Sequence, residues 1–169
     1  KLGEFKTDSK AADAIETQEA KLTLNTAAAN VRDSGALILK ASTVAGDFKL
    51  KTEGVTRIDN LTVTDNGVAT LDSTDRQLTL TQLTSAGKVS VQSCALALGG
   101  VTADGQTVTL ETSGAITDAN DTETAKAAVN VTADSLTIKG DQPVGTSNDA
   151  IETQVNALAL TAGATYIDN

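Results

Sequence analysis

The chain of 169 residues lacks histidine, methionine and tryptophan, has one cysteine and one proline, and is only 2% aromatic. Without histidine, and with Cys94 as the only thiol, the sequence excludes a Ser-His-Asp triad, a Cys/His zinc site and an intramolecular disulfide. Cys94 has no basic neighbour in VQSCALALGG, which predicts a small buried side chain rather than a reactive thiol. No run of about 18 apolar residues and no glycine-rich phosphate loop occurs. We therefore expect no catalytic residue, no cofactor and no transmembrane segment.

Basic residues are also scarce, because 13 Lys and Arg face 22 Asp and Glu and give a formal net charge of −9. Nucleic-acid binding needs clustered cations that neutralise phosphates, so this balance argues against a nucleic-acid partner. The apolar fraction of 40% is sufficient for one folded unit over residues 1–169. Its core must be aliphatic.

The chain is rich in apolar doublets, which are pairs of apolar residues separated by one other residue. Alternate side chains of a β-strand point to the same face, so each doublet predicts a short strand with one buried side. The doublets are Leu22/Leu24, Leu37/Leu39, Phe48/Leu50, Leu61/Val63, Leu78/Leu80, Val89/Val91, Leu96/Leu98, Val108/Leu110, Val129/Val131, Leu136/Ile138 and Leu158/Leu160. Further apolar positions follow most of them after a polar or glycine-containing turn: Val31, Val68, Val89, Ile116, Val144 and Ile167.

Two alignments indicate internal repeats. Residues 37–52 (LILKASTVAGDFKLKT) align without a gap on residues 78–93 (LTLTQLTSAGKVSVQS), at a spacing of about 41 residues. Residues 89–98 (VSVQSCALAL) resemble residues 129–138 (VNVTADSLTI), at a spacing of about 40. Two coils of about 20 residues would account for both spacings, which is typical of a repeat protein whose coils bury their inward side chains by stacking.

The sequence therefore predicts an all-β parallel β-helix, or β-solenoid, of about seven to eight coils. The alternative is an antiparallel β-sandwich, which short strands with frequent turns also allow. Residues 1–6 match what common cloning sites encode, and we expect them to be cloning-derived or disordered. Residues 117–127 are expected to form an excursion loop. The hexapeptide DAIETQ occurs twice, and we expect Ile15 and Ile151 to be inward-facing residues of one recurring coil type.

Residues 145–169 (GTSNDAIETQVNALALTAGATYIDN) combine Gly-Thr, a polar loop, Ile-Glu-Thr, a leucine doublet and a final apolar residue before Asp. This order resembles the shaft repeats of filamentous-haemagglutinin-like bacterial exoproteins, the adhesins of two-partner secretion, and residues 9–33 share it without Gly-Thr. The resemblance implies a right-handed parallel β-helix from an exported fibrous protein, of which this chain would be a shaft segment. It implies no catalytic residues.

Two acidic clusters are candidates for chemistry. Residues 59–76 hold Asp59, Asp65, Asp72, Asp75 and Arg76, and β-helix enzymes that act on acidic polysaccharides use carboxylates in a cleft. Such clefts also need aromatic side chains for sugar stacking, and only Phe5, Phe48 and Tyr166 are present, so solvated turns are the better interpretation.

The second cluster offers hard oxygen ligands for calcium, which are Asp118, Asn120, Asp121 and Glu123. The spacing lacks the glycine and the final glutamate of an EF-hand loop, so we predict no metal site. Asn60, Asn120 and Asn130 begin Asn-x-Ser/Thr sequons and are candidate glycosylation sites.

We therefore expect a non-enzymatic structural segment of a bacterial cell-surface or secreted adhesin, located outside the cell. It would act as a rigid spacer and as a contact surface for host or matrix glycans, with neighbouring coils or other copies as partners. The first alternative is a self-assembling subunit of an extracellular filament or sheath. The second is a polysaccharide-active β-helix enzyme.

Overall fold

A computed structural model of the protein describes residues 14–17, 21–120 and 128–169. Within these residues all regular secondary structure is β-strand. The strands are β1 (Ile15–Thr17), β2 (Lys21–Leu22), β3 (Asn25–Thr26), β4 (Ala29–Asp33), β5 (Leu37–Leu39), β6 (Ser42–Val44), β7 (Phe48–Thr52), β8 (Thr56–Ile58), β9 (Leu61–Val63), β10 (Ala69–Ser85), β11 (Val89–Thr112), β12 (Ile116–Asp118), β13 (Val131–Lys139), β14 (Ile151–Thr161) and β15 (Ile167–Asp168).

Every pairing between these strands is parallel. The chain therefore winds into a β-solenoid of about seven turns with coils of about 20 residues, which confirms the predicted fold. The antiparallel sandwich is wrong, because hairpin-connected strands would pair in opposite directions. Residues 1–6 lie outside the described part of the chain.

Each turn of the solenoid contributes short strands to three faces, and the four long strands bend from one face to the next. The first face contains β1, β4, β7 and residues 69–73, 89–93, 107–111, 135–139 and 157–161. The second face contains β2, β5, β8, β12 and residues 77–80 and 95–98. The third face contains β3, β6, β9 and residues 82–84, 100–103, 131–133 and 153–155.

The doublets supply the inward side chains of these faces and form one aliphatic core that runs through the stack. Side-chain sizes compensate along a column, as Phe48 shows. It is fully buried and pairs with Ala29 on one side and Ala69 on the other, so two small residues leave room for the largest core side chain. Burial of each such side chain contributes roughly 1.5–3 kcal/mol, and only stacked coils achieve it.

Close approach between coils at one corner requires glycine. A Cβ atom added to Gly54 would lie 1.8 Å from the carbonyl oxygen of Gly35 in the preceding coil. No side chain fits there, whereas a Cβ on Gly35 would make only an ordinary contact of 3.6 Å with the Asp33 carboxylate.

The 41-residue repeat is confirmed as two coils. Leu37 pairs with Thr56 in the next coil, and Thr56 pairs with Leu78 in the coil after that. Phe48 likewise pairs with Ala69, and Ala69 pairs with Val89. The 40-residue alignment is wrong. Val91 lies on the first face, whereas its proposed counterpart, Val131, lies on the third.

Two predicted inward positions are also wrong. Val68 and Val129 are 37% and 42% exposed. Ala69 points inward in place of Val68, and Val131, the second residue of its doublet, is buried as predicted. In both places the strand starts one or two residues later than the apolar pattern suggests.

The two copies of DAIETQ do not occupy equivalent positions. Ile15 is half-buried and pairs with Val31 on the first face. Ile151 is fully buried, as predicted, but pairs with Ile167 and leads into the third face. Thr153, two positions later, is buried at 6% exposure. The interpretation of the hexapeptide as one recurring coil type is therefore wrong; Asp13 and Gln18 lie outside the described residues.

One coil is longer than the rest. Val101 pairs with Val131, 30 positions later, whereas Ser42 pairs with Leu61 after 19. The predicted excursion loop falls in this coil but starts too early, because Thr117 and Asp118 belong to β12. Its residues 121–127 lie outside the described part of the chain.

Candidate functional site

A shallow groove of about 680 Å³ lies on the outer surface of the first face. Outward side chains of four successive strands line it, and Leu50, which is 3% exposed, lies at its floor. The lining residues are Ala14, Glu16, Asn30, Arg32, Lys49, Leu50, Lys51, Thr70 and Asp72. Their alternation with buried residues follows from the strand period, which sends every second side chain outward.

Three cations lie together in this groove although the chain as a whole is acidic. Arg32 pairs in register with Lys51 of the next coil, and Lys49 precedes Lys51 by two positions on the same side of β7. Lys51 lies 3.5 Å from the carboxylate of Asp72, measured from Nζ to Oδ2. Among the described residues, Arg32 and Lys49 form no ion pair. Sequence reasoning missed this group, although the 19-residue step from Arg32 to Lys51, close to one coil, was a usable signal.

The five candidate residues of the first acidic cluster are dispersed. Asp59 lies at the corner after β8, where its carboxylate accepts hydrogen bonds from Lys40 Nζ at 2.5 Å and Arg57 Nε at 2.6 Å. The hydrogen bond from Lys40 is the main cause of a lowered pKa for Asp59. Asp65 lies in a different corner, with a positive φ of 53°.

Asp72 lies in the groove, and its Oδ1 accepts a hydrogen bond from the Thr74 hydroxyl at 3.1 Å. Asp75 and Arg76 are exposed within the bend of β10, where Arg76 Nη1 donates to the Asp75 carbonyl. The cluster predicted from the sequence is therefore not one site.

The calcium candidates that the structure describes are engaged by protein groups. Asp118 Oδ1 accepts hydrogen bonds from the Asn120 backbone at 2.8 Å and from Asn130 Nδ2 at 2.7 Å. The Asn120 side chain donates to the carbonyl oxygens of Gly99 and Ala128. No group of three or more acidic, His or Cys side chains that could hold a metal occurs within the described ranges. Asp121 and Glu123 lie outside them.

Asn130 is a buried structural residue rather than an accessible glycan acceptor. It is fully buried, and its Nδ2 lies 2.8 Å from the Leu98 carbonyl and 3.0 Å from the Gly99 carbonyl. Its Oδ1 accepts from the Glu152 backbone at 2.8 Å. The side chain thus joins segments from three successive coils. The sequon at Asn60 is exposed and that at Asn120 is half-buried.

Glu152 lies beside this network. Burial is the main cause of a raised pKa for its carboxyl group, with further contributions from Asp118, Asp149 and Asp168. Its Oε2 is buried without a hydrogen-bond partner.

In the last described coil, two leucines at positions that are buried in the preceding coils are partly exposed. Leu158 and Leu160 continue the columns of Leu136 and Ile138 but are 38% and 43% exposed. Tyr166 nearby is 43% exposed. The Asn169 side chain covers part of the third face by accepting a hydrogen bond from the Val155 backbone at 3.0 Å.

Cys94 is only half-buried, whereas a buried side chain was predicted. Within residues 14–17, 21–120 and 128–169, no helix has the length and apolarity to cross a membrane. Comparisons with models of protein families, with curated proteins and with solved structures find no match to this chain.

Proposed function

We propose that this chain is a rigid, non-enzymatic shaft segment of a bacterial cell-surface or secreted adhesin of the filamentous-haemagglutinin-like type. The observation that carries the proposal is the in-register parallel stack of about seven coils, which share one continuous core. The repeat resemblance of residues 145–169 supports the exported fibrous class.

The mechanism of such a segment is mechanical. Strands in neighbouring coils are about 4.8 Å apart, so about seven coils form a rod of roughly 34 Å. A segment of this kind holds other parts of an adhesin at a fixed distance from the cell. Its sheet faces remain available for contacts with glycans.

A deletion in register tests whether the coils act as additive length units. Removal of residues 48–88 takes out two coils and places Val89 over Ala29, because both residues belong to the same column as Phe48 and Ala69. We expect a folded rod that is shorter by about 10 Å in small-angle X-ray scattering. The control removes residues 48–80, which breaks the register and is expected to prevent folding. A folded control, or an unfolded in-register deletion, would contradict the additive rod.

Location is tested separately on intact cells of the source organism. Antibodies against residues 21–120 should label the surface of unpermeabilised cells. Labelling only after permeabilisation would overturn the assignment to an adhesin shaft.

A second candidate function is a self-assembling filament subunit, and the uncovered Leu158 and Leu160 favour it. A strand edge with exposed apolar residues can template pairing with another chain. Fibrils that grow from the purified protein, and that disappear in Leu158→Lys, would support this candidate. A protein that stays monomeric at high concentration in electron microscopy and sedimentation would exclude it.

A further inference from the structure

We propose that the groove on the first face binds one strand of an acidic polysaccharide through Arg32, Lys49 and Lys51. The inference deepens the proposed function, because a surface fibre meets acidic polysaccharides outside the cell. The inference rests on that function for the presence of the ligand. Binding itself can be tested independently of the fibre.

The cations are arranged at spacings that the solenoid fixes. Arg32 and Lys51 are direct neighbours across two coils, so their Cα atoms lie about 4.8 Å apart across the strands. Lys49 and Lys51 are two positions apart on one strand, or roughly 6.6 Å. Because their backbones belong to stacked parallel strands, the Cα atoms of the three residues are held in one triangle beside the groove. A ligand does not have to order a loop to meet them.

The charge balance selects an anionic ligand. Lys51 shares its charge with Asp72, but Arg32 and Lys49 have no ion-pair partner among the described residues. Glu16 lies in register beside Arg32, so the lining holds three cations against two carboxylates, and this net charge of +1 attracts anions although the chain carries a net charge of −9. The same overall charge repels long polyanions at a distance, so binding has to rely on contacts inside the groove.

The neutral and acidic lining favours a polysaccharide over a nucleic acid. Asn30 and Thr70 offer hydrogen-bonding side chains, and Glu16 and Asp72 can accept from sugar hydroxyls. A nucleic-acid strand carries one phosphate for every 3.4 Å or so, which would place several negative charges beside these carboxylates. A polyuronate carries one charge per sugar, leaving hydroxyl groups to face Glu16 and Asp72.

The test measures binding of a purified polygalacturonate fragment of about 12 sugars to the whole chain by calorimetry at low salt. Double substitution of Arg32→Gln and Lys49→Gln is expected to weaken binding by at least tenfold. The matched control is Lys139→Gln, an exposed lysine on the outer side of the same face and four coils away, which should change the affinity by less than twofold. Raising the salt concentration to 0.5 M should remove binding, since exposed charge pairs are strongly screened there.

Three results with charged ligands would overturn the proposal. They are no measurable binding to polygalacturonate, equal weakening by Lys139→Gln, and binding of a single-stranded DNA of equal charge that is as tight as that of the polyuronate. Neutral dextran should not bind, and comparable binding of dextran would also refute a charge-based groove. Circular dichroism shows whether the variants keep the fold. The in-register deletion and the surface labelling separate failure of the groove from failure of the shaft function.

Discussion

Replacement of Asn130 by alanine is the most direct test of how the irregular coil is held in place. The side chain is fully buried, and its amide nitrogen lies within hydrogen-bond distance of the Leu98 carbonyl and the Asp118 carboxylate, at 2.8 and 2.7 Å. Its oxygen accepts from the Glu152 backbone N–H at 2.8 Å. Alanine would leave the Glu152 backbone N–H without its partner, whereas the Leu98 carbonyl keeps a hydrogen bond from the Ala119 backbone and Asp118 keeps one from the Asn120 backbone.

The magnitude follows from the cost of unsatisfied groups. Each buried donor or acceptor that loses its partner lowers the free energy of unfolding by about 1–3 kcal/mol. Relaxation of the neighbouring groups, or a water molecule that enters the space, reduces this loss. With one group left unpaired and the hydrogen bonds of the Asn130 amide nitrogen lost, Asn130→Ala is expected to lower the free energy of unfolding by about 2–4 kcal/mol. Urea denaturation followed by circular dichroism measures this change.

The matched control is Asn60→Ala. Asn60 also begins a sequon, but its side chain is exposed and forms no hydrogen bond to another described residue, so the expected change is within about 0.5 kcal/mol. If Asn130→Ala stayed within about 1 kcal/mol of the unsubstituted chain, the network would not hold the coil and our reasoning would be refuted.

Three further tests concern the core, a corner and a partly buried charge. Phe48→Ala should cost about 3–5 kcal/mol, because its alanine neighbours cannot fill the cavity; a loss below about 1.5 kcal/mol would mean that the coils collapse onto it. Gly54→Ala should cost about 1–3 kcal/mol from overlap with the preceding coil, whereas Gly35→Ala should be nearly neutral, and equal effects of the two would contradict the close corner. Glu152→Gln should raise the melting temperature at pH 7, because the raised pKa means that the charged carboxylate is disfavoured in the folded chain. This difference should vanish as the pH falls below the carboxyl's ordinary pKa of 4.5, where Glu152 is protonated in both states, and a gain that persists there would have another cause.

The sequence predicts the fold class because strand alternation and coil length are both visible in it. The doublets mark inward positions correctly along most of the chain. Leu37 and Leu78 lie on either side of Thr56 in three successive coils, which explains the 41-residue spacing. A doublet does not reveal which of the three faces it belongs to. The corners determine that, and their lengths differ, so the alignment of Val89 with Val129 fails.

The candidate site was less predictable for a related reason. Outward lysines and arginines have the same local pattern wherever they occur, and only the coil register brings Arg32 beside Lys51. A buried asparagine such as Asn130 has the same appearance in the sequence as a solvated one. Its role depends on partners 12 to 32 positions away, which no local pattern encodes.

The direction of the hydrogen bonds between coils has a consequence for load. Strands lie across the rod, so these bonds run along its long axis, and tension between the two ends acts on them one coil after another. The rod is expected to yield by peeling single coils of about 20 residues, each of which releases roughly 70 Å of extended chain while the remaining coils stay folded. Single-molecule pulling would record this as successive steps of about that length, with one longer step for the coil between Val101 and Val131. A tether of this design lengthens under sudden load and limits the force that reaches its point of attachment.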